Sequence, residues 1–136
     1  MTESGVRRSE IWVCAGMLGG AGLIFVAESL IRLATEGQAV GGSILYVPIA
    51  QAVLDALCAA VIVAGSRALR PGVLVIAVLG TLVHMVIVLG GGPVWTRVVS
   101  AVLAIAQVYA VVLLNTKPIR IHFGLDTYDN PLDLEP

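Results

Sequence analysis

Glu28, Gln51, Asp55, His84 and Gln107 stand inside otherwise apolar stretches of this sequence. Carboxyl, amide and imidazole groups in such surroundings can do three things. They can pass a proton, hold a cation, or bond one helix to another. Charged groups deep in an apolar phase cost several kcal/mol and turn toward a partner. Asp55 is the clearest case. It sits in QAVLDALCAAVIVAG, residues 51–65, and no Lys or Arg occurs between Arg32 and Arg67. Gln51 lies one helical turn before it and Cys58 one turn after, so all three share a face. Asp55 is therefore expected to be uncharged and to serve as glue between helices, with Gln107 as its partner across the bundle. A proton or cation relay, or a contact with another subunit, are the alternatives. Glu28 has Arg32 four residues on, which predicts an i,i+4 ion pair with Arg32 reaching to the surface. A Glu28–His84 contact is its functional alternative, since imidazole changes charge near neutrality.

Other chemistry finds little support. The chain has two histidines and two cysteines. His84 and His122 fall on opposite sides of the spans drawn below, so they cannot share an ion or haem. Cys14 and Cys58 stand alone on different spans, with no CxxC. Gly90-Gly91-Gly92-Pro93 is a turn, with no phosphate-loop pattern following it. No nucleophile–base motif is visible. Neither enzymatic activity nor a cofactor is expected. Nothing in a net charge of −1 points to nucleic acid, and none is expected as a partner.

The elements that must position these groups follow from composition. The 136 residues are 58% hydrophobic and 12% charged, half the charge of a typical soluble domain. Between Arg70 and Arg97 the only titratable side chain is His84, and between Arg97 and Lys117 there is no charge. Uncharged runs near 20 residues match a hydrocarbon core of about 30 Å crossed at about 1.5 Å per residue. Four spans are predicted: 11–31, 44–65, 73–89 and 94–114. Pro71-Gly72, the Gly-Pro turn at 90–93 and Lys117-Pro118 punctuate them. Short loops make neighbours antiparallel, so the expected fold is an all-α, up-and-down four-helix transmembrane bundle over residues 1–114. Arg7, Arg8, Arg67, Arg70, Lys117 and Arg120 share one side, and only Arg32 and Arg97 fall on the other. That excess predicts cytoplasmic termini. By this topology Asp55 lies about 16 Å below the outer surface, with Gln107 at a comparable depth.

In lipid, small residues mark helix contacts because close packing replaces the hydrophobic force. Gly16 and Gly20, with Gly19 beside them, predict a contact face on the first span, toward another span or another protein. Residues 115–136 are read as a cytoplasmic tail. Lys117, Arg120 and His122 suit an anionic leaflet. Tyr128, Leu132 and Leu134 could anchor a partner.

The turn Trp95-Thr96-Arg97 before the fourth span, and the sequel LLNTKPIRIHFG at 113–124, resemble small four-span integral membrane proteins of actinobacteria that have no assigned activity. The resemblance covers about the last third of the chain. It implies a bacterial plasma membrane and no particular chemistry. Small multidrug transporters share the size and carry a glutamate in their first span. Glu28, however, lies near the outer end, and the chain has only seven aromatic residues, so that function is not carried over. The functional expectation is a non-enzymatic, multi-pass protein of the bacterial inner membrane. It would be an accessory, assembly or regulatory subunit bound to other membrane proteins or to itself. A small proton- or cation-coupled transporter or flippase, and an immunity or exclusion protein, are the alternatives.

Overall fold

The computed structural model describes residues 3–37 and 42–126, with side chains described from Ser9 onward. The described residues are helical, with no strand among them. Helix α1 runs Glu3–Glu36, α2 Tyr46–Ala64, α3 Arg70–Leu89 and α4 Val94–Leu114. A short helix α5, Lys117–His122, follows. A 3-10 turn, Gly42–Leu45, leads into α2. Four of these helices are long and apolar enough to cross a membrane. They pack as an up-and-down bundle, with α1 against α2 and α3 against α4 as the closest pairs and α2 against α3 more sparsely.

The element boundaries depart from the expected spans where breakers were given too much weight. Pro71 and Gly72 lie inside the first turn of α3 rather than before it. A proline there loses nothing, because the first N–H groups of a helix have no intrahelical acceptor. Helix α1 extends past both expected ends. At about 1.5 Å per residue it is longer than the apolar core is thick, so its ends stand in or beyond the interface.

Arginines close both ends of the α3–α4 hairpin. Arg70 Nη2 donates to the carbonyl of Leu114 at 3.0 Å and to Asn115 Oδ1 at 2.9 Å. Arg97 Nε donates to the carbonyl of Val88 at 2.8 Å. Each satisfies a carbonyl in the last turn of the neighbouring helix, where intrahelical donors have run out. The end holding Arg67, Arg70, Lys117 and Arg120 is called the basic end below, and the other the far end.

Helix α5 opens the segment expected as a tail and packs under the basic end, with Ile119 and Phe123 buried against the bundle. His122 Nε2 lies 2.8 Å from the carbonyl of Ile62. A carbonyl only accepts, so Nε2 carries the proton. Gly65 makes this seat possible. It ends α2 in the left-handed conformation, φ +67°, and a Cβ there would lie 2.9 Å from His122 Nε2 and 3.0 Å from the His122 carbonyl. Thr116 Oγ1 donates to Glu10 Oε2 at 3.2 Å, tying the same corner to α1.

Candidate functional site

The bundle is apolar outside and divided inside. Large hydrophobic side chains such as Leu23, Tyr46, Val86 and Leu89 face outward, the pattern lipid selects. Within the basic half, Cys14, Leu18, Cys58, Ile62, Val73 and Ala77 join residues of α4 and α5 in one apolar core. From mid-bundle to the far end the interior holds Glu28, Ser29, Gln51, Asp55, His84, Thr96, Ser100 and Gln107, all buried.

The structure brings Gln51, Asp55 and Gln107 together at mid-depth. Gln51 Nε2 donates to Asp55 Oδ1 at 2.9 Å along α2. Gln107 Nε2 reaches across from α4 to Asp55 Oδ2 at 3.5 Å, the long limit of a hydrogen bond. Asp55 thus accepts from two amides and is fully buried. Gln107 Oε1 has no hydrogen-bond partner.

Two glycines that sequence reasoning did not single out allow this cluster to close. A Cβ on Gly22 would lie 2.7 Å from Ala52 Cα and 3.2 Å from Asp55 Oδ2. A Cβ on Gly80 would lie 2.5 Å from Gln107 Nε2 and 2.6 Å from Gln51 Nε2. So α1 and α3 each bring a bare backbone against the carboxyl–amide cluster. The signal was faint, because α1 alone carries several glycines and only the three-dimensional register separates Gly22 and Gly80 from the rest. Gly16 and Gly20 lie elsewhere: a Cβ on either would meet nothing within 4 Å. Gly19 makes an ordinary contact, 3.7 Å to Ala59 Cβ.

Glu28, Arg32 and His84 are not joined as expected. Arg32 bonds Glu36, with Nε to Oε1 at 3.2 Å and Nη2 to Oε2 at 3.1 Å. Both pairings are one turn apart on α1, but Glu36 lies nearer the helix end, where both partners stay partly exposed. Glu28 Oε2 is left without a hydrogen-bond partner. His84, fully buried, meets the ring of Phe25 edge-on at 4.7 Å, and neither of its nitrogens is hydrogen-bonded. Cys14 Sγ lies 3.6 Å from the Ala110 carbonyl, and both cysteines are free and buried. Among the described residues no three His, Cys, Asp or Glu side chains form a group that could hold a metal ion. Tyr128, Leu132 and Leu134 lie outside the described residues.

Grooves open on the outer surface among the described residues, and a pair of them bear on function. One, of about 410 Å³, lies at the far end between α1, α2 and α3, with Glu28 among its walls. The other, of about 520 Å³, runs between α1 and α2 along Trp12, Ala15, Gly16, Ala59, Ala60 and Val63. No protein-family model, curated protein or solved structure matches the chain.

Proposed function

We propose that this integral membrane protein is a non-enzymatic subunit of a larger assembly in a bacterial plasma membrane, with both termini cytoplasmic. It would serve that assembly as an accessory, assembly or regulatory component. The observation that carries the reading is the open small-residue groove between α1 and α2. Gly16 faces into open space, and Ala59 and Ala60 stand opposite it under the exposed ring of Trp12. Small side chains let a second helix backbone approach closely, and such packing drives association where lipid removes the hydrophobic force. The occupant is a transmembrane helix of another membrane protein.

Mild-detergent purification with native mass measurement tests it. The wild-type chain is expected in a stoichiometric complex. Gly16→Leu should release it without changing its own melting temperature, because nothing within the chain lies within 4 Å of the added Cβ. Val102→Leu, on the exposed face of α4, should leave the complex intact. A complex indifferent to Gly16→Leu, or no complex at all, refutes the docking reading. A complex of identical chains identifies the partner as a second copy. Orientation is tested with single cysteines at Arg67 and Gly91 in a background lacking Cys14 and Cys58. The second should be labelled from the periplasm and the first protected.

The buried carboxyl–amide cluster favours a second reading, a small proton- or cation-coupled transporter. Under it, Asp55→Asn would abolish activity in a protein that still accumulates and assembles normally.

A further inference from the structure

We propose that the far-end groove is a binding site for a phospholipid with a primary ammonium headgroup, with Glu28 as its anchor. The walls include Phe25 and Ser29 of α1, Val47 and Pro48 of α2, and Val83 and Ile87 of α3. Val47 is the second residue of α2, and Ile87 lies two residues before the end of α3. The groove therefore sits just inside the membrane boundary, where headgroup and upper acyl chain meet. It opens on a surface bathed in lipid.

Glu28 decides which lipid. Its side chain is 5% exposed and Oε2 has no hydrogen-bond partner. A buried carboxylate oxygen with no donor is expensive. The nearest guanidinium, Arg32, spends its fork on Glu36. With Glu28 ionised, Glu28, Arg32 and Glu36 together carry one net negative charge. Ser29 donates to the carbonyl of Phe25 at 3.0 Å and so is not directed at Glu28. What Glu28 lacks is a hydrogen-bond donor, and a cationic N–H would supply a countercharge as well.

Other occupants fit less well. A divalent metal ion needs several oxygen ligands, and among the described residues no second acidic side chain lines the groove. A bare acyl chain fills the apolar walls but leaves the carboxylate unpaired. An anionic lipid faces the net negative charge. A choline headgroup brings a cation with no N–H to donate. A primary ammonium supplies both charge and donor.

The test compares dioleoyl lipids, so that only the headgroup changes. The full chain in detergent is titrated with phosphatidylethanolamine, phosphatidylcholine or phosphatidylglycerol, and bound lipid is counted by native mass spectrometry. One phosphatidylethanolamine per chain is expected, bound about tenfold more tightly than either other lipid, the affinity ratio worth about 1.4 kcal/mol. Glu28→Gln should reduce it to the phosphatidylcholine level. Val47→Trp fills the groove and keeps Glu28, and should abolish binding of all three. Should Glu28→Gln fail to fold, Val47→Trp still decides, because headgroup preference surviving it places the lipid elsewhere. Equal binding of the three lipids reduces the groove to an acyl slot and overturns the proposal. Tighter phosphatidylglycerol overturns it too, since Arg32 would then be the anchor.

Discussion

The basic half and the far half of the bundle are built from the same four helices but hold together differently. The basic half is sealed by shape. Leu18, Cys58, Ile62 and Ala77 fill its interior, and α5 closes it with Ile119 and Phe123. The far half joins a smaller apolar cluster of Ala21, Phe25 and Leu103 to a polar one, in which Asp55 accepts from two glutamines and glycine backbones press close. The lesson concerns the solvent. In lipid an apolar side chain gains little by turning inward, because lipid is as apolar as the core. What the interior can do better than lipid is pack closely and satisfy polar groups. One half uses the first means and the other uses both.

Six substitutions at five positions break or sharpen that contrast. The largest effect belongs to the seam between the halves. Gly22→Ala puts a methyl 2.7 Å from backbone that cannot yield, so α1 and α2 must part. A loss of about 2–3 kcal/mol is expected in detergent unfolding. The same change at Gly16 should stay within about 0.5 kcal/mol. Equal effects at the two glycines would mean that α1 packs with a different face inward.

Leu18→Ala should cost about 2 kcal/mol. Leu18 is fully buried in the apolar core, and its removal forfeits contacts that lipid cannot replace there. Thermal melts of the purified variant give this directly, and a neutral result would mean that the basic half is loosely packed.

Asp55 separates hydrogen-bonding capacity from shape. Asp55→Asn should remain within about 0.6 kcal/mol of wild type, the average for intramembrane polar contacts. The Gln107 amide, whose Oε1 is uncommitted, can turn to accept from it. Asp55→Leu leaves both glutamines without their shared acceptor and should cost about 1–2 kcal/mol. If Leu proves as stable as Asn, the far half is held by shape after all.

The smallest effect lies outside the membrane, beyond α5. Arg120 bonds Asp126 through Nε at 2.6 Å and Nη2 at 2.9 Å. Those bonds hold the Asp126 carboxyl below its usual range against the opposing effect of burial, with the charges of Arg120, Lys117 and Arg70 adding to them. A carboxyl lowered in the folded state stabilises the fold above its unfolded value of about 3.9. The contribution is lost as pH falls through the folded value. Asp126→Asn should therefore lower the melting temperature slightly at pH 7, and the difference from wild type should vanish in acid. A difference that persists there would assign the effect to something other than this ion pair.

The sequence by itself determined the membrane-spanning helices and the inward groups. Runs such as 94–114 have no charge to place in water, so one solvent suits them. Asp55 and Gln107 cannot face lipid without cost, so their inward direction was legible before any geometry. Only the tertiary structure decided the rest. Arg32 turned to Glu36, not Glu28, although the order Glu28–Arg32 is the better i,i+4 pairing in an isolated helix, because Glu36 stands nearer the exposed helix end. Lys117–His122 became the seal of the basic half, because Gly65 leaves room for His122. Gly22 and Gly80 became the contact glycines, and Gly16 and Gly20 did not. Helical spacing states which residues share a face, but not which face meets a neighbour. That is set by the rotation of each helix in the bundle, a property of all four together.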